Sequence, residues 1–572
     1  MTITLGNRAK MSTSTTGTGT ITLGSAVSGF QTFADAGITN GQTVRYAIDD
    51  GANFEIGSGT YTSSGTTLTR SVTESSNSDS AISLSGSAEV FIAATVADLN
   101  PLYAANPSSA TNPTAAGTNA VSIGSGSVAS GEKGFALLGG TASGQYAMAF
   151  NNYAVASAEK SISLGWLTDA TATSAVAIGT GTQSSGSHSV ALGQSNASGE
   201  DSLAAAIGNA SSSYGATGAN SVAIGSAASA AGTSSISVGA LCSSPNQFSM
   251  SFGYGSSASG FNGALAIGNS ATASGNNATA VGRNTTASGN YSTAIGQNSG
   301  NGASQAVTGA GAMALGGSYA SGTDSFAAAI NNNASSYGAT GANSIAMGNY
   351  NKSTGTQSIS LGGLGNVSSG NSSFVTGYQA LASGAYGVAA GFQAQATEPS
   401  TVALGYQADA SAIYSIAIGN NAKSAVSRQI AFSAGRFAAL GDAQGSTFIL
   451  RSDTTDATAE AMTTNNSSAA SDNQIVAASD TCITFHGTIT AMQNGAQAYG
   501  GWEIKGMLVN DGGTTTLALG NVSDMAATNA SSWAVALSAD NTNNALKIQV
   551  TGEASHNIRW VANVQTAEVT YA

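Results

Sequence analysis

From about residue 120 to 420 the chain repeats one short apolar segment at near-constant spacing, as in Ser221-Val222-Ala223-Ile224-Gly225. The residue closing the segment falls at 21 positions between Gly124 and Gly419, with Asn151 and Asn331 in place of glycine, and the commonest step is 14 residues. Within a unit such as 264–275, Leu265 and Ile267 alternate with small residues, and Ala271 and Ala273 do so again before Ser274-Gly275. Two alternating runs per unit predict two short strands, each with one apolar face. Glycine closes each run because a sharp turn at positive φ is cheap only without Cβ. So short a fixed period predicts a β-solenoid, one coil per repeat, each coil pairing its backbone with the next.

Coils stacked about 4.8 Å apart leave a thin interior, so Ala is expected to face Ile, Val or Leu across it. The 20 intervals predict a rod on the order of 100 Å long. A two-strand coil cannot bury its apolar row alone, so neighbouring coils and other chains must supply the cover. Residues 199–225 and 322–348 are nearly the same sequence, 123 residues apart. Their lengthened steps predict loops that place Tyr214 and Tyr337 at matching heights, as candidates for stacking on a sugar. The plainer role of both rings is to cover a neighbouring coil.

The flanks follow other patterns. In 1–95, Val44, Tyr46 and Ile48 share a face, alternation recurs in 66–73 and 89–93, and Asn40-Gly41 and Asp50-Gly51 supply turns, which predicts a small antiparallel β domain. Residues 96–117 carry Pro101, Pro107 and Pro113 and read as a semi-rigid linker to a shaft over 118–430. In 431–572 the period is gone. Strands are expected near 446–452, 481–493, 500–509, 514–519, 532–538, 545–551 and 556–570, an antiparallel β-sandwich with jelly-roll character. The chain is therefore all-β.

The repeat, with its Ala-Ser-Gly at 273–275 and 287–289, resembles the head repeats of YadA-like trimeric autotransporter adhesins. That resemblance implies a left-handed parallel β-roll and a homotrimer about one axis. The same module occurs in tailed-phage fibres. Residues 15–61, with Gly29-Phe30-Gln31-Thr32-Phe33 and Tyr46-Ala47-Ile48-Asp49-Asp50-Gly51, resemble an amino-terminal module of phage tail and other virion proteins. Trp502-Glu503-Ile504-Lys505-Gly506 and Ile558-Arg559-Trp560-Val561-Ala562 resemble carboxy-terminal domains of tail fibres of marine, cyanophage-like tailed phages. Together they imply a virion tail fibre. Its amino domain would hold a phage tail or adaptor protein, and its carboxy domain would meet a host cell-surface glycan or outer-membrane protein. A bacterial adhesin of the YadA type is the alternative, with a signal peptide, coiled-coil stalk and barrel anchor as its expected marks. A third reading is a virion decoration protein that binds nothing.

Composition narrows the partners. With 572 residues, 8% charged, 74 Gly and a net charge of −13, the chain would repel nucleic acid. No run of 18 apolar residues predicts membrane insertion, and the first residues show no signal-peptide pattern. Cys242 and Cys482 fit no metal or redox spacing and are expected to be unpaired buried thiols. Of the 4 tryptophans, Trp502, Trp533 and Trp560 alternate in phase with apolar neighbours and are expected in a core. His486 shares a polar strand face with Thr484 and Thr488 and is a receptor-binding candidate; His188 is expected to be solvated. Cleavage of a glycan needs two carboxylates held about 5–10 Å apart. Glu200-Asp201 is the acidic pair of the shaft, but adjacent strand residues point to opposite faces, and the duplicate reads Thr323-Asp324. Asp453, Asp456, Glu460 and Asp472 are expected as solvated turn residues. No phosphate loop, calcium loop, zinc spacing or nucleophile elbow is present, so neither enzyme activity nor a cofactor is expected.

Overall fold

The computed structural model describes residues 3–99, 111–209, 213–296, 305–329, 337–495 and 497–571. Pro101, Pro107, the closing Asn331 and part of each lengthened step lie outside the described residues. The protein divides into two compact units, 1–188 and 189–572.

The first unit begins with a closed antiparallel barrel. Around it run Thr43–Asp50, Glu89–Ile92, Lys10–Thr13, Ile21–Ala26, Thr67–Leu68 and Asn53–Thr62, and the last pairs with the first. The hairpin that closes it turns at Gly51, with φ of 70°, as the Asp50-Gly51 signal predicts. Alternation fills the interior with Val44, Tyr46, Ile48, Ile21, Leu68 and Phe33. One ion pair is buried there. Glu55 accepts a hydrogen bond from Tyr46 (2.7 Å) and from the Ile82 N–H (2.9 Å), and it pairs with Arg70. Burial pushes the Glu55 carboxyl up, but Arg70, Tyr46 and the Ile82 amide outweigh it and hold it below its usual value. Among the described residues the helical pieces are Ser63–Gly65 and Val96–Leu99.

Coils begin at Thr114–Ala115, which pairs in parallel with Val128–Ala129. In both units they form two parallel columns. The second unit shows them in Val222–Ile224, Ile236–Val238, Met250–Phe252 and Leu265–Ile267, and in Gly215–Ala216, Ser229–Ala230, Ser243–Ser244 and Ser257–Ala258. Closing glycines stack on one another. Gly268 has φ of 131°, and a Cβ there would meet the Gly282 carbonyl oxygen at 2.4 Å. Both the dihedral and the backbone overhead exclude a side chain.

Which side chains face inward differs from the expectation. In coil 264–275 the buried residues are Ala264, Ala266, Ala271 and Ala273, each 0% exposed, whereas Leu265 is half-buried and Ile267 is 38% exposed. The interior is too thin for Ala to face Ile. It is filled by Ala and by serines that bond within it, such as Ser353 with Ser358 at 2.6 Å and Ser368 with Ser373 at 2.7 Å. Period-2 alternation then sends most large side chains outward, with Val307 and Val375 as inward exceptions.

At the end of the second unit's coils, Ile430–Ser433 pairs in parallel with Ile416–Gly419 and antiparallel with Ala443–Thr454. A solenoid's terminal edge is an open template for pairing, and this strand occupies it. The sandwich that follows has one long sheet in the order Ala443–Thr454, Ile558–Thr570, Thr481–Gln493, Tyr499–Asp511, Thr514–Thr528. Facing it, Ala545–Thr551 pairs with Ala459–Ala461, Ile475–Val476 and Ala534–Asp540. First and last long strands are neighbours, as in a jelly roll, while the middle three form a meander. The expected strands are all present, and the short pieces at 459–461 and 475–476 are additional. Trp502, Trp533 and Trp560 lie in the core as predicted, with Trp560 packed on both others at ring distances of 5.3 and 5.6 Å.

Candidate functional site

Three surfaces stand out, each built by the register of its strands. On the coils, the residues flanking each inward Ala make two outward apolar columns. One holds Val222, Ile236 and Leu265, half-buried, and the other holds Ile224, Ile267, Ile295, Met347 and Ile418, 38–42% exposed. Parallel pairing sets Ile236 beside Met250, Met250 beside Leu265 and Ile267 beside Val281, so the columns run over successive coils, with Thr279 and Thr293 interrupting the first.

Near the last coils a second pair of columns forms at a corner. Tyr378, Phe392 and Tyr406 stack face to face at 5.2 and 4.9 Å. Beside them Gln393 donates to Gln379 (3.0 Å), Gln407 to Gln393 (2.7 Å), and Asn421 to Gln407 (3.0 Å). Gln379, Gln393, Gln407 and Asn421 hold φ between 51° and 63°, a costly conformation for these residues that the ladder helps to hold. The sequence reading missed this feature. Its signal is the recurrence of aromatic-Gln at 378–379, 392–393 and 406–407, one period apart. Nearby, burial raises the Asp409 carboxyl, opposed by Lys423 on the adjoining coil.

The third surface is the outward face of the sandwich's long sheet. His486, Thr484 and Thr488 are exposed on it, as predicted. His486 has a partner that sequence separation hid: its Nε2 is 3.0 Å from Glu503 Oε1, and Lys505 Nζ is 3.9 Å from that oxygen. All three groups are substantially solvated, which keeps the pair weak.

The shaft candidates are placed differently from one another. Tyr337 packs edge-on against Tyr350 of the next coil, with ring centroids 5.0 Å apart, which fits the plainer covering role. Tyr214 is 37% exposed, and the position matching Tyr350 in its block is Ala227. Glu200, Asp201, Thr323 and Asp324 are exposed at coil corners. Cys242 is buried as expected, and burial pushes its thiol pKa up; Cys482 is only half-buried. Among the described residues no cluster of three or more His, Cys, Asp or Glu is arranged to hold a metal, and no helix is long and apolar enough to cross a membrane.

This architecture is a parallel β-roll with an antiparallel domain at each flank. The roll is YadA-like: the family model of the YadA head domain repeat (2 copies) matches residues 115–137, 170–196, 216–241, 262–285, 273–299, 339–364 and 396–422. A comparison with curated proteins finds no match.

Proposed function

We propose that the chain is a homotrimeric attachment fibre, and that the fibre is a tail fibre of a phage virion, anchored by its amino-terminal barrel and presenting the carboxy-terminal sandwich to a host cell surface. The observation that carries the reading is the pair of outward apolar columns on the coils. A coil with a mostly Ala and Ser interior gains little from its own core, while Val, Ile, Leu and Met stand outside in rows that run over several coils at a time. Burying one such side chain is worth up to about 1.5–3 kcal/mol, so a seam between chains repeats that gain coil after coil. The resemblance to YadA-type heads supports three chains rather than two. The resemblances of the amino and carboxy domains support the virion tail as the location, with a tail or adaptor protein and a host surface component as partners. In this reading the fibre binds without catalysis and without a cofactor.

Sedimentation equilibrium of the full chain tests the assembly, with a trimer expected and a well-folded monomer decisive against it. A bacterial surface adhesin is the second reading, favoured by the match to the YadA head repeat itself. Gold-labelled antibody separates the two, since label on particle tails supports the fibre and label on the cell envelope supports the adhesin.

A further inference from the structure

The sandwich has a near and a far end. Ala443–Thr454 pairs with the last coil at Gly445, Ser446 and Thr447, so Thr454 lies about 23 Å beyond that pairing. At that far end are two hollows that share Asp453. One, of about 620 Å³, is lined by Asp453, Gln493, Asn494, Asn557 and Arg559 with Met492. The other, of about 330 Å³, is lined by Asp453, Ser452, Glu460, Asn466 and Ser467.

Register explains the convergence. Asp453 pairs with Arg559, Arg559 with Met492, and Met492 with Tyr499, so four adjacent strands present these side chains in one row. All four are exposed, Met492 at 61% and Tyr499 at 49%. At strand spacing the row spans roughly 14 Å. Its supports are fixed. Asn466 donates to Asp453 (2.8 Å), Ser452 donates to Glu460 (3.0 Å), the Asn494 N–H donates to the Asn557 carbonyl (2.9 Å), and Trp560 donates from the core to Thr454 in the floor (3.0 Å).

We propose that this far end is a binding groove for a neutral oligosaccharide of about three sugars. The proposal rests on the attachment reading and gives it a site and a ligand class. A sugar hydroxyl both donates and accepts, so vicinal hydroxyls are matched by planar groups that do one or both: a carboxylate, a guanidinium and carboxamides. The C–H face of a pyranose is matched by a thioether and an aromatic ring, supplied here by Met492 and Tyr499. Charge selects against acidic sugars. Arg559 shares its hollow with the Asp453 carboxylate, and a second carboxylate, Glu460, lines the adjoining hollow, in a chain of net charge −13. The groups stand on strands and their joining turns above a packed core, so little order is lost on binding.

The test uses the full-length protein on an array of neutral oligosaccharides of two to six residues, beside matched sulfated and uronic-acid sets. Neutral members should bind. Asp453→Asn and Arg559→Gln should each weaken binding by at least about tenfold, and Tyr499→Ala by less, with unchanged thermal unfolding. Arg283→Gln, an exposed residue of the coils, should bind as the parent does. Absence of neutral binding, a preference for the acidic set, or equal binding by the Asp453 and Arg559 variants would each overturn the site. Competition with whole particles for cells separates the two levels. If the parent and both variants compete equally, the attachment reading stands and this groove falls; if the parent fails to compete, the attachment reading falls as well.

Discussion

Coils and sandwich bury opposite kinds of side chain. The coil core is Ala after Ala, as in Ala264, Ala266, Ala271 and Ala273, whereas the sandwich core holds Trp502, Trp533, Trp560, Phe448, Phe485 and Leu450. The cause is layer thickness. Facing sheets packed about 10 Å apart admit aromatic and branched side chains from both sides. A coil that doubles back on itself within 14 residues admits mostly a methyl or a hydroxyl, and at its largest a Val or an Asn such as Val307 or Asn366. The sandwich therefore has room for three tryptophans in its core, although Met492, Leu519 and Met525 stand outside it, whereas the coil shows most of its large apolar groups. One region has a core of large side chains of its own; the other carries its hydrophobic surface where a second chain can reach it.

Substitutions can break that contrast. The largest effect is expected for Trp560→Ala, which removes a side chain packed on two other tryptophans and should cost the sandwich about 3–5 kcal/mol. Limited proteolysis should then release fragments from 431–572 while the coils stay protected. Gly268→Val should cost the coils about 2–4 kcal/mol, since its Cβ would meet the Gly282 carbonyl and φ is 131°. Gly512→Ala, at φ of 57° with open space around it, should cost only about 1 kcal/mol, and thermal unfolding of both variants checks the difference.

Ile267→Asp should leave the coil interior intact but weaken association by about 1–2 kcal/mol per chain, read as trimer loss on dilution in sedimentation. Equal association in this variant would show that the outward columns are not the seam.

The smallest effect is electrostatic and lies in the amino-terminal barrel. Arg45 bonds Asp98 at 2.9 and 3.0 Å and holds its carboxyl down at about 2, against an ordinary 3.8. A depressed carboxyl stabilises fully above the unfolded value. This contribution should therefore be whole above pH about 4 and be lost as pH falls toward about 2. Because the pair is near the surface, the loss should be about 1 kcal/mol or less. Arg45→Gln should abolish it, as followed by barrel unfolding between pH 5 and 2.

Much of this was legible in the order of residues. The step of 14 gave the coils, the paired signals Asn40-Gly41 and Asp50-Gly51 gave turns of the barrel, and in-phase tryptophans gave the sandwich core. The inward direction of the coils was misjudged, because alternation assigns two faces without saying which is inside. Only the separation of the two columns shows that the inside is too narrow for isoleucine. The far-end row was invisible for another reason: Asp453 and Arg559 are neighbours across a strand pair yet 106 positions apart, and Met492 and Tyr499 come from two further strands. Periodicity is a local property, set by how successive side chains alternate along a backbone, and the chain alone determines it. Which face is covered, and which distant charges meet at an end, depend on the thickness and register of the sheets, and these exist only once the chain has folded.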